Sequence, residues 1–231
     1  MKSDSAILSF IENFPVSASL KEADTGKYIV NNRYNSMQFG VKNPKDLVGL
    51  TINDLKFRQP EWGARYANMI EKLDFRARTT KSHVLGRHQF LDDNGDAQLE
   101  EMVKFPVLGS RQNILGIVTY RHDLTPTLPP GNLYQLYRKF YDVTNAIRRV
   151  LISLGIDQCF SVLPTDAQFR VLLLKTERLS NKEIAKLIGI SDRTVECHLD
   201  ALRQKVIDGN LPRVLSLVKW NTLCADDSIP F

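Results

Sequence analysis

Polar and charged side chains with the chemistry to bind a nucleic acid are concentrated in residues 179–206, LSNKEIAKLIGISDRTVECHLDALRQKV. Apolar residues in the second half of this stretch recur at helical spacing and predict one buried stripe, formed by Val195, Leu199, Leu202 and Val206. Side chains outside that stripe can hydrogen-bond to base edges in the DNA major groove, and those facing outward are Arg193, Glu196, Cys197 and Asp200. Four more are placed to reach backbone phosphates, namely Lys182, Thr194, His198 and Arg203.

Two short helices position these side chains, and signals at their ends define them. Ser180 followed by Glu183 forms a capping box, which predicts a helix that begins after Ser180. Gly189 predicts the end of that helix, and Ser191 predicts the start of the next one. Only residues 189–191 separate the two helices, and a turn this short with glycine is typical of a helix-turn-helix. The alternative is a plain packing unit whose charges only face solvent.

The same stretch resembles the helix-turn-helix of LuxR-type transcriptional regulators. The segments LSNKEIA, GIS and TVECH match the three signature segments of that family, at the family's spacing. The resemblance covers about residues 163–217, and we predict a DNA-binding domain over residues 160–222. It implies an additional first helix over residues 165–174 and a last helix, after residue 212, that contributes to dimerisation.

Two positions depart from the family pattern, because Gln168 stands where glutamate is frequent and Arg178 where glycine is frequent. The resemblance places base reading on Glu196, Cys197 and Asp200, where the family often has lysine. A carboxylate does not bind phosphate, but it can accept a hydrogen bond from cytosine N4. Because few phosphates would be neutralised, we predict weak non-specific affinity for DNA.

A proline-rich segment, TPTLPPG at residues 125–131, separates an N-terminal domain, residues 1–126, from a helical remainder. After it, apolar residues step alternately by three and four, which is the a and d pattern of a coiled coil. We predict one long linker helix over residues 131–156 that dimerises the protein through Leu133, Leu136, Phe140, Val143, Ile147, Val150 and Leu154. The alternative is that this helix packs on its own chain.

The first domain alternates helical and strand-like segments, which predicts an α+β fold with an antiparallel sheet. Strand candidates lie at residues 83–91, 98–108 and 114–123, and a longer helix lies at about 61–76. The domain resembles a PAS domain in elements that occur in the family's order: Asp24 with Gly26, Asn31 or Asn32, Gly49 with Thr51, and Asp123-Leu124-Thr125. This resemblance implies a sheet that cups a small cavity, used for sensing or for dimerisation.

The sequence assigns no cofactor to this domain, and the cofactor stays unknown. PAS domains that form a flavin adduct need a reactive cysteine, but all three cysteines lie outside the domain, at Cys159, Cys197 and Cys224. Haem-binding members often use a histidine on the long helix. The histidines of this domain fall instead on predicted strands, at His83, His88 and His122.

Four aromatic residues are candidates for lining a pocket for a small organic ligand, namely Phe39, Phe57, Trp62 and Tyr66. The alternative is that they are ordinary core residues. A rival interpretation uses the same region, because Trp62, Tyr66 and Asp74 loosely match the acyl-homoserine-lactone domain of quorum-sensing receptors.

Composition narrows the functional classes further. The chain has 231 residues and a net charge of +5, which is compatible with nucleic-acid binding. Three widely spaced cysteines fit a reducing compartment, and no run approaches the roughly 20 apolar residues of a membrane span, so we predict a cytoplasmic protein. The sequence lacks a phosphate-binding loop, a nucleophile elbow and metal-ligand spacing, so we predict no enzymatic activity and no metal site.

Asp92, Asp93 and Asp96 surround Asn94-Gly95, which predicts a hairpin turn.

These patterns together predict a transcriptional regulator that binds double-stranded DNA as a homodimer. The predicted fold class is α+β, with an N-terminal PAS-like antiparallel sheet domain, a long linker helix and a C-terminal all-α LuxR-type helix-turn-helix domain. The PAS-like domain would sense a signal, such as a small-molecule ligand, or mediate dimerisation. The alternatives are a PAS-like adaptor that binds another protein without DNA, and an acyl-homoserine-lactone receptor.

Overall fold

The computed structural model describes residues 2–57, 60–92, 94–109 and 113–226. The chain divides into two compact units, Met1–Asp123 and Leu124–Phe231. The first unit ends close to the domain boundary predicted at residue 126.

The N-terminal unit is built on a five-stranded antiparallel sheet with the strand order β2-β1-β5-β4-β3. Its strands are β1 (Ala18–Glu22), β2 (Tyr28–Asn31), β3 (Val84–Leu91), β4 (Ala97–Leu108) and β5 (Ile114–Asp123). Its helices are α1 (Lys2–Glu12), α2 (Arg33–Gln38) and α3 (Pro60–Thr80). The three strand candidates of the sequence correspond to β3, β4 and β5, which lie side by side.

Polar turns connect β1 to β2 and β3 to β4. The β1–β2 turn places Gly26 at φ +69°, a left-handed conformation that glycine adopts without strain. In the β3–β4 turn, Asp92 accepts hydrogen bonds from the backbone amides of Asn94 and Asp96 at 2.9 and 2.8 Å. The aspartate-rich segment therefore forms a hairpin turn, as predicted, while Asp93 lies outside the described residues.

Helices pack on both faces of the sheet. On the face that we call the outer face, Ile11 of α1 packs with a cluster of strand residues formed by Ala18, Leu20 and Val30. On the opposite, inner face, α3 packs on the sheet through a core that includes Tyr66, Ile70, Leu73, Met102 and Ile117. The inner-face cluster contains nine buried hydrophobic residues and the outer-face cluster contains four, so α3 covers the larger part of the core of this unit.

The described part of the C-terminal unit is helical, apart from a single β-bridge between Phe160 and Val206. Its helices are α4 (Pro130–Arg138), α5 (Val143–Ser153), α6 (Asp166–Thr176), α7 (Asn181–Ile188), α8 (Asp192–Lys205) and α9 (Leu211–Asp226). Apolar side chains from four of these helices have no exposed surface and form the core, among them Val150, Phe169, Leu172, Ile184, Val195 and Leu202.

The segment predicted to be one linker helix over residues 131–156 is two helices, α4 and α5. The chain leaves α4 after Arg138. Asp142 then begins α5 as its N-cap, because its carboxylate accepts a hydrogen bond from the Asn145 amide at 3.0 Å. Both helices pack on each other and on α6. The segment therefore belongs to the same compact unit as the helix-turn-helix.

This packing corrects the coiled-coil prediction. Five of the seven residues predicted to dimerise are buried within a single chain, namely Leu133, Leu136, Ile147, Val150 and Leu154. The other two, Phe140 and Val143, are partly exposed and flank the break between the helices. Steps of three and four predict one apolar face, but they do not decide whether that face meets a second copy or the same chain. Here the alternative, packing on the same chain, holds.

Candidate nucleic-acid interface

Local hydrogen bonds define the start of α7 and the start of α8. The Glu183 amide donates to Ser180 Oγ at 3.3 Å, and the Ser180 amide donates to the Glu183 carboxylate at 2.7 Å. Gly189 ends α7 with φ +71°, a conformation that L residues with a side chain rarely adopt. Ser191 Oγ then accepts a hydrogen bond from the Thr194 amide at 3.1 Å and begins α8.

One face of α8 is buried and the other is open to solvent. Val195, Leu199 and Leu202 are buried, and α8 packs on α6 and α7. The structure brings the eight side chains predicted to contact DNA to the α7–α8 surface. Those exposed are Lys182, Arg193, Glu196, Cys197, Asp200 and Arg203, and those half-buried are Thr194 and His198.

Three of these eight side chains already have partners within α8 or its cap. Arg203 and Asp200 form an ion pair, with side chains that are 53% and 64% exposed. Ion pairs at such exposure contribute less than about 1 kcal/mol, so a DNA phosphate can compete for Arg203. The Thr194 hydroxyl shares a hydrogen bond with Ser191 Oγ at 2.8 Å and therefore supports the helix cap.

The backbone at Arg178, where this sequence departs from the family pattern, has a conformation that favours glycine. This residue lies between α6 and α7 with φ +64°. The left-handed conformation costs a residue with a Cβ atom about 1 kcal/mol, whereas glycine adopts it freely. A glycine at this position, as is frequent in the resembled family, would therefore relieve strain in the connection that leads into α7.

In the N-terminal unit, the four aromatic ligand candidates lie together, and two of them, Trp62 and Tyr66, belong to α3. The Trp62 and Tyr66 rings stack with centroids 4.8 Å apart, and Phe57 contacts both at 5.6 and 5.8 Å. The ring centroids of Phe39 and Phe57 are 6.2 Å apart. Burial raises the pKa of the Tyr66 hydroxyl, which therefore stays neutral. All four pack in the core of the inner face, and their role in ligand binding stays a prediction.

The inner face also buries charged residues that the sequence patterns did not identify. Asp74 of α3 forms ion pairs with Lys104 at 2.5 Å and with Lys21 at 3.2 Å. Lys104 also donates to Thr119 Oγ1 at 3.2 Å. Burial lowers the pKa of Lys104 to about 7. Burial alone would raise the pKa of Asp74, but the ammonium groups of Lys104 and Lys21 hold it below its usual range.

A second buried network surrounds Arg121 and Glu100. Arg121 Nη1 donates to Gln38 Oε1 at 2.8 Å, and Arg121 Nε lies 3.2 Å from Glu100 Oε1. Gln38 Nε2 donates to Glu100 Oε2 at 2.5 Å, and His88 Nε2 lies 3.4 Å from the same oxygen. The signal in the sequence was weak, because charged residues such as Glu100 and Lys104, four residues apart on the same face of β4, usually indicate a solvent-facing side.

A cavity of about 510 Å³ lies next to this second network. Gln38, Glu100 and Arg121 provide polar groups in its lining, and Tyr34, Met37 and Phe90 provide apolar surface. None of the four aromatic candidates lines this cavity. One of them, Phe57, lines a different cavity of about 400 Å³ together with Gly63.

The described parts of the chain contain no cluster of histidine, cysteine, aspartate and glutamate side chains able to hold a metal ion. No helix in them combines the length and apolarity that crossing a membrane requires.

Comparisons with known proteins match both units. The Sigma-70, region 4 family matches residues 153–206, which include α6, α7 and α8. Among solved structures, VqmA of Vibrio cholerae in complex with a ligand and DNA is 19% identical, with a TM-score of 0.53 over 96% of this chain and 88% of that chain. VqmA of a phage in complex with DPO is 19% identical, with a TM-score of 0.50 over 99% of this chain and 91% of that chain. No curated protein matches the chain.

At these identities the likeness shows the fold. The chain has the fold of these VqmA structures, with an N-terminal antiparallel sheet domain followed by an all-α domain that contains a helix-turn-helix. The predicted α+β fold class is confirmed, with α4 and α5 in place of one linker helix.

Proposed function

We propose that the protein is a transcriptional regulator that binds double-stranded DNA through α8 and senses a small molecule through its PAS-like domain. One observation carries the proposal. The capped α7–α8 pair buries one stripe of α8 and leaves Arg193, Glu196 and Asp200 exposed on the other side. A helix presented in this way fits the DNA major groove. The match to Sigma-70, region 4, and the DNA in the Vibrio cholerae VqmA complex support it.

We also propose that the protein acts in the cytoplasm and carries out no catalysis. A regulator of this kind needs access to DNA and a small-molecule site that is coupled to its DNA site. It does not need to catalyse a reaction. The structure does not favour the acyl-homoserine-lactone alternative. That alternative uses the Asp74 carboxylate for the ligand, but both carboxylate oxygens of Asp74 are paired with lysines.

The double variant Lys182→Ala, Arg193→Ala is expected to weaken binding to every duplex by a similar factor. Both side chains are exposed cations at the α7–α8 surface, where they can neutralise phosphates. Phosphate contacts carry no sequence information, so the loss should be uniform. Measured by mobility shift, the slope of log affinity against log salt should become shallower by about two.

The matched control for this loss is the double variant Lys42→Ala, Lys45→Ala, which removes two exposed cations from the N-terminal unit. It should keep the affinity and salt slope of the original protein. Equal effects of the two double variants would show that net charge, not the α7–α8 surface, attracts DNA. The adaptor alternative predicts that neither variant matters, since no duplex would bind.

The cavity of about 510 Å³ is the proposed site of a small-molecule ligand, and DPO, bound by the phage VqmA, is the first probe. DPO at one hundred times its Kd should stabilise the protein by about 2.7 kcal/mol. Met37 lines the cavity and is 58% exposed, so Met37→Trp should obstruct the mouth and remove this stabilisation. Thermal unfolding with and without DPO measures both effects.

The control for the tryptophan is Val48→Trp, since Val48 is exposed and does not line the cavity. This variant should respond to DPO like the original protein. If DPO shifts the unfolding temperature of neither protein, or shifts Met37→Trp as much as the original, the cavity is not its binding site.

Five of the seven heptad residues are buried in one chain, so we propose another surface for homodimerisation. Phe10, Leu85 and Phe105 form an outer-face patch, with exposed fractions of 58, 54 and 39%. The Phe105 ring stacks on Tyr120 with centroids 5.8 Å apart, and Phe14 connects Tyr120 to Phe10. We propose that a second copy of the chain covers this patch, because a dimer would place one recognition helix on each half of a two-fold symmetric site.

The double variant Leu85→Asp, Phe105→Asp is expected to be monomeric in sedimentation equilibrium. Two carboxylates in an apolar contact would lose their hydration without gaining partners, which strongly disfavours association. Both residues are exposed, so the domain should still fold. Val48→Asp, which places one carboxylate at an exposed apolar position outside the patch, should leave the oligomeric state unchanged. A dimer that survives the double variant would place the interface elsewhere.

A further inference from the structure

The DNA-facing side of α8 is unusual in its charge, because it presents two carboxylates, Glu196 and Asp200. Asp200 is engaged by Arg203 in an ion pair on the same helix. Glu196 lies nearer the N-terminal end of α8 and is exposed, and its carboxylate has no ion pair or hydrogen bond with any residue that the structure describes. The N-terminal part of a recognition helix is the part that contacts base edges. Glu196 is therefore the carboxylate with the freest approach to the bases.

A carboxylate in the major groove is repelled by the phosphates and must find a hydrogen-bond donor to be tolerated. Guanine and thymine offer it only acceptor atoms in the major groove, which repel it further. Adenine offers the N6 amino group, but its N7 acceptor lies beside it. Cytosine offers the N4 amino group without a competing acceptor on the same base. We propose that Glu196 selects a cytosine at one position of each half-site. The inference rests on the proposed DNA-binding function and adds the base that one named residue reads.

The test is selection of bound sequences from a random duplex library, carried out with the full chain and with Glu196→Gln and Glu196→Ala. The original protein should select cytosine at one position in each half-site. Glutamine pairs with adenine N6 and N7, so Glu196→Gln should change the preferred base at that position from cytosine to adenine, by about tenfold in relative affinity. Glu196→Ala should lose the preference there and keep it at the other positions.

Asp200→Asn is the matched control, because it also neutralises one carboxylate of the same helix face. It should leave the preference at the Glu196 position unchanged. Glu196 is exposed, so both Glu196 variants should unfold at the same temperature as the original protein. If Glu196→Gln selects the same base as the original protein at every position, the inference fails while the proposed DNA-binding function stands. If none of the proteins enriches any duplex, both fail.

Discussion

Asp74→Asn is expected to lower the free energy of unfolding of the N-terminal domain by about 3–5 kcal/mol. Asp74 is the shared counter-charge of Lys104 and Lys21, whose side chains are only 1% and 3% exposed. Without it, the domain must either bury two ammonium groups without a carboxylate or deprotonate one of them. Urea unfolding followed by circular dichroism gives the free energy. Hydrogen exchange should localise the loss of protection to β1 and β4, the strands that carry the two lysines.

Lys104→Met is the control that removes the excess charge instead of the carboxylate. It leaves one pair, Lys21 with Asp74, and should be at least as stable as the original protein at pH 7. Burial lowers the pKa of Lys104 from 10.5 to about 7 in the folded protein. Between these values the unfolded chain binds a proton that the folded protein lacks, so stability should rise with pH from about 7 to 10. This contribution should be absent in Lys104→Met.

Two outcomes would contradict the roles given to Asp74, as the counter-charge of the buried lysines, and to Lys104, as the group that titrates. The first is an Asp74→Asn protein that loses less than about 1 kcal/mol, because the carboxylate would then not be the element that makes the buried lysines tolerable. The second is a rise in stability with pH that persists in Lys104→Met, because the titrating group would then be another residue.

Phe169→Ala is the second change with a large expected effect, about 3–5 kcal/mol on the C-terminal domain. Phe169 of α6 has no exposed surface, and its ring meets that of Tyr134 in α4 edge-on, with centroids 5.1 Å apart. The Tyr134 hydroxyl donates to Asp166 Oδ1 at 2.5 Å, which holds the tyrosine ring against α6. The variant would leave a cavity where α4 joins the helix-turn-helix. Small domains are stable by only about 5–15 kcal/mol, so its α8 surface should unfold at much milder conditions.

Arg170→Ala is the neighbouring control, since Arg170 follows Phe169 on the exposed side of α6. It should change the free energy of unfolding by less than about 0.5 kcal/mol. Urea unfolding of both variants, with DNA binding measured at the same urea concentrations, compares stability with function directly. A Phe169→Ala protein as stable as the Arg170→Ala protein would show that α4 is not held by this contact.

The parts of the fold that could be predicted from the sequence are those fixed by short-range chemistry. The α7–α8 pair is defined by Ser180, Glu183, Gly189 and Ser191, and each acts on the backbone within about four residues of itself. Such interactions are visible in a single sequence because the partners are neighbours in the chain. The exposure of the α8 residues followed from the same local periodicity.

The parts that could not be predicted depend on partners far away in the chain. The heptad spacing after residue 131 correctly indicated one apolar face. That face packs within the same chain, because α4 and α5 contact each other and both contact α6. The N-cap at Asp142 was a local signal for the break, and the regular spacing concealed it. Lys104 and Asp74 are 30 residues apart, and Arg121 and Gln38 are 83 apart. No pattern in a single strand shows that such charges meet on a buried face.

The most direct measurement of DNA binding by α8 is a mobility-shift selection of the purified full chain against random duplexes at low ionic strength, with and without DPO. Enrichment of a two-fold symmetric sequence, with half-sites about one helical turn apart, is the expected result. That enrichment should weaken uniformly in Lys182→Ala, Arg193→Ala. If the folded protein, confirmed by circular dichroism, retains no duplex under either condition, α8 is not a DNA-recognition helix.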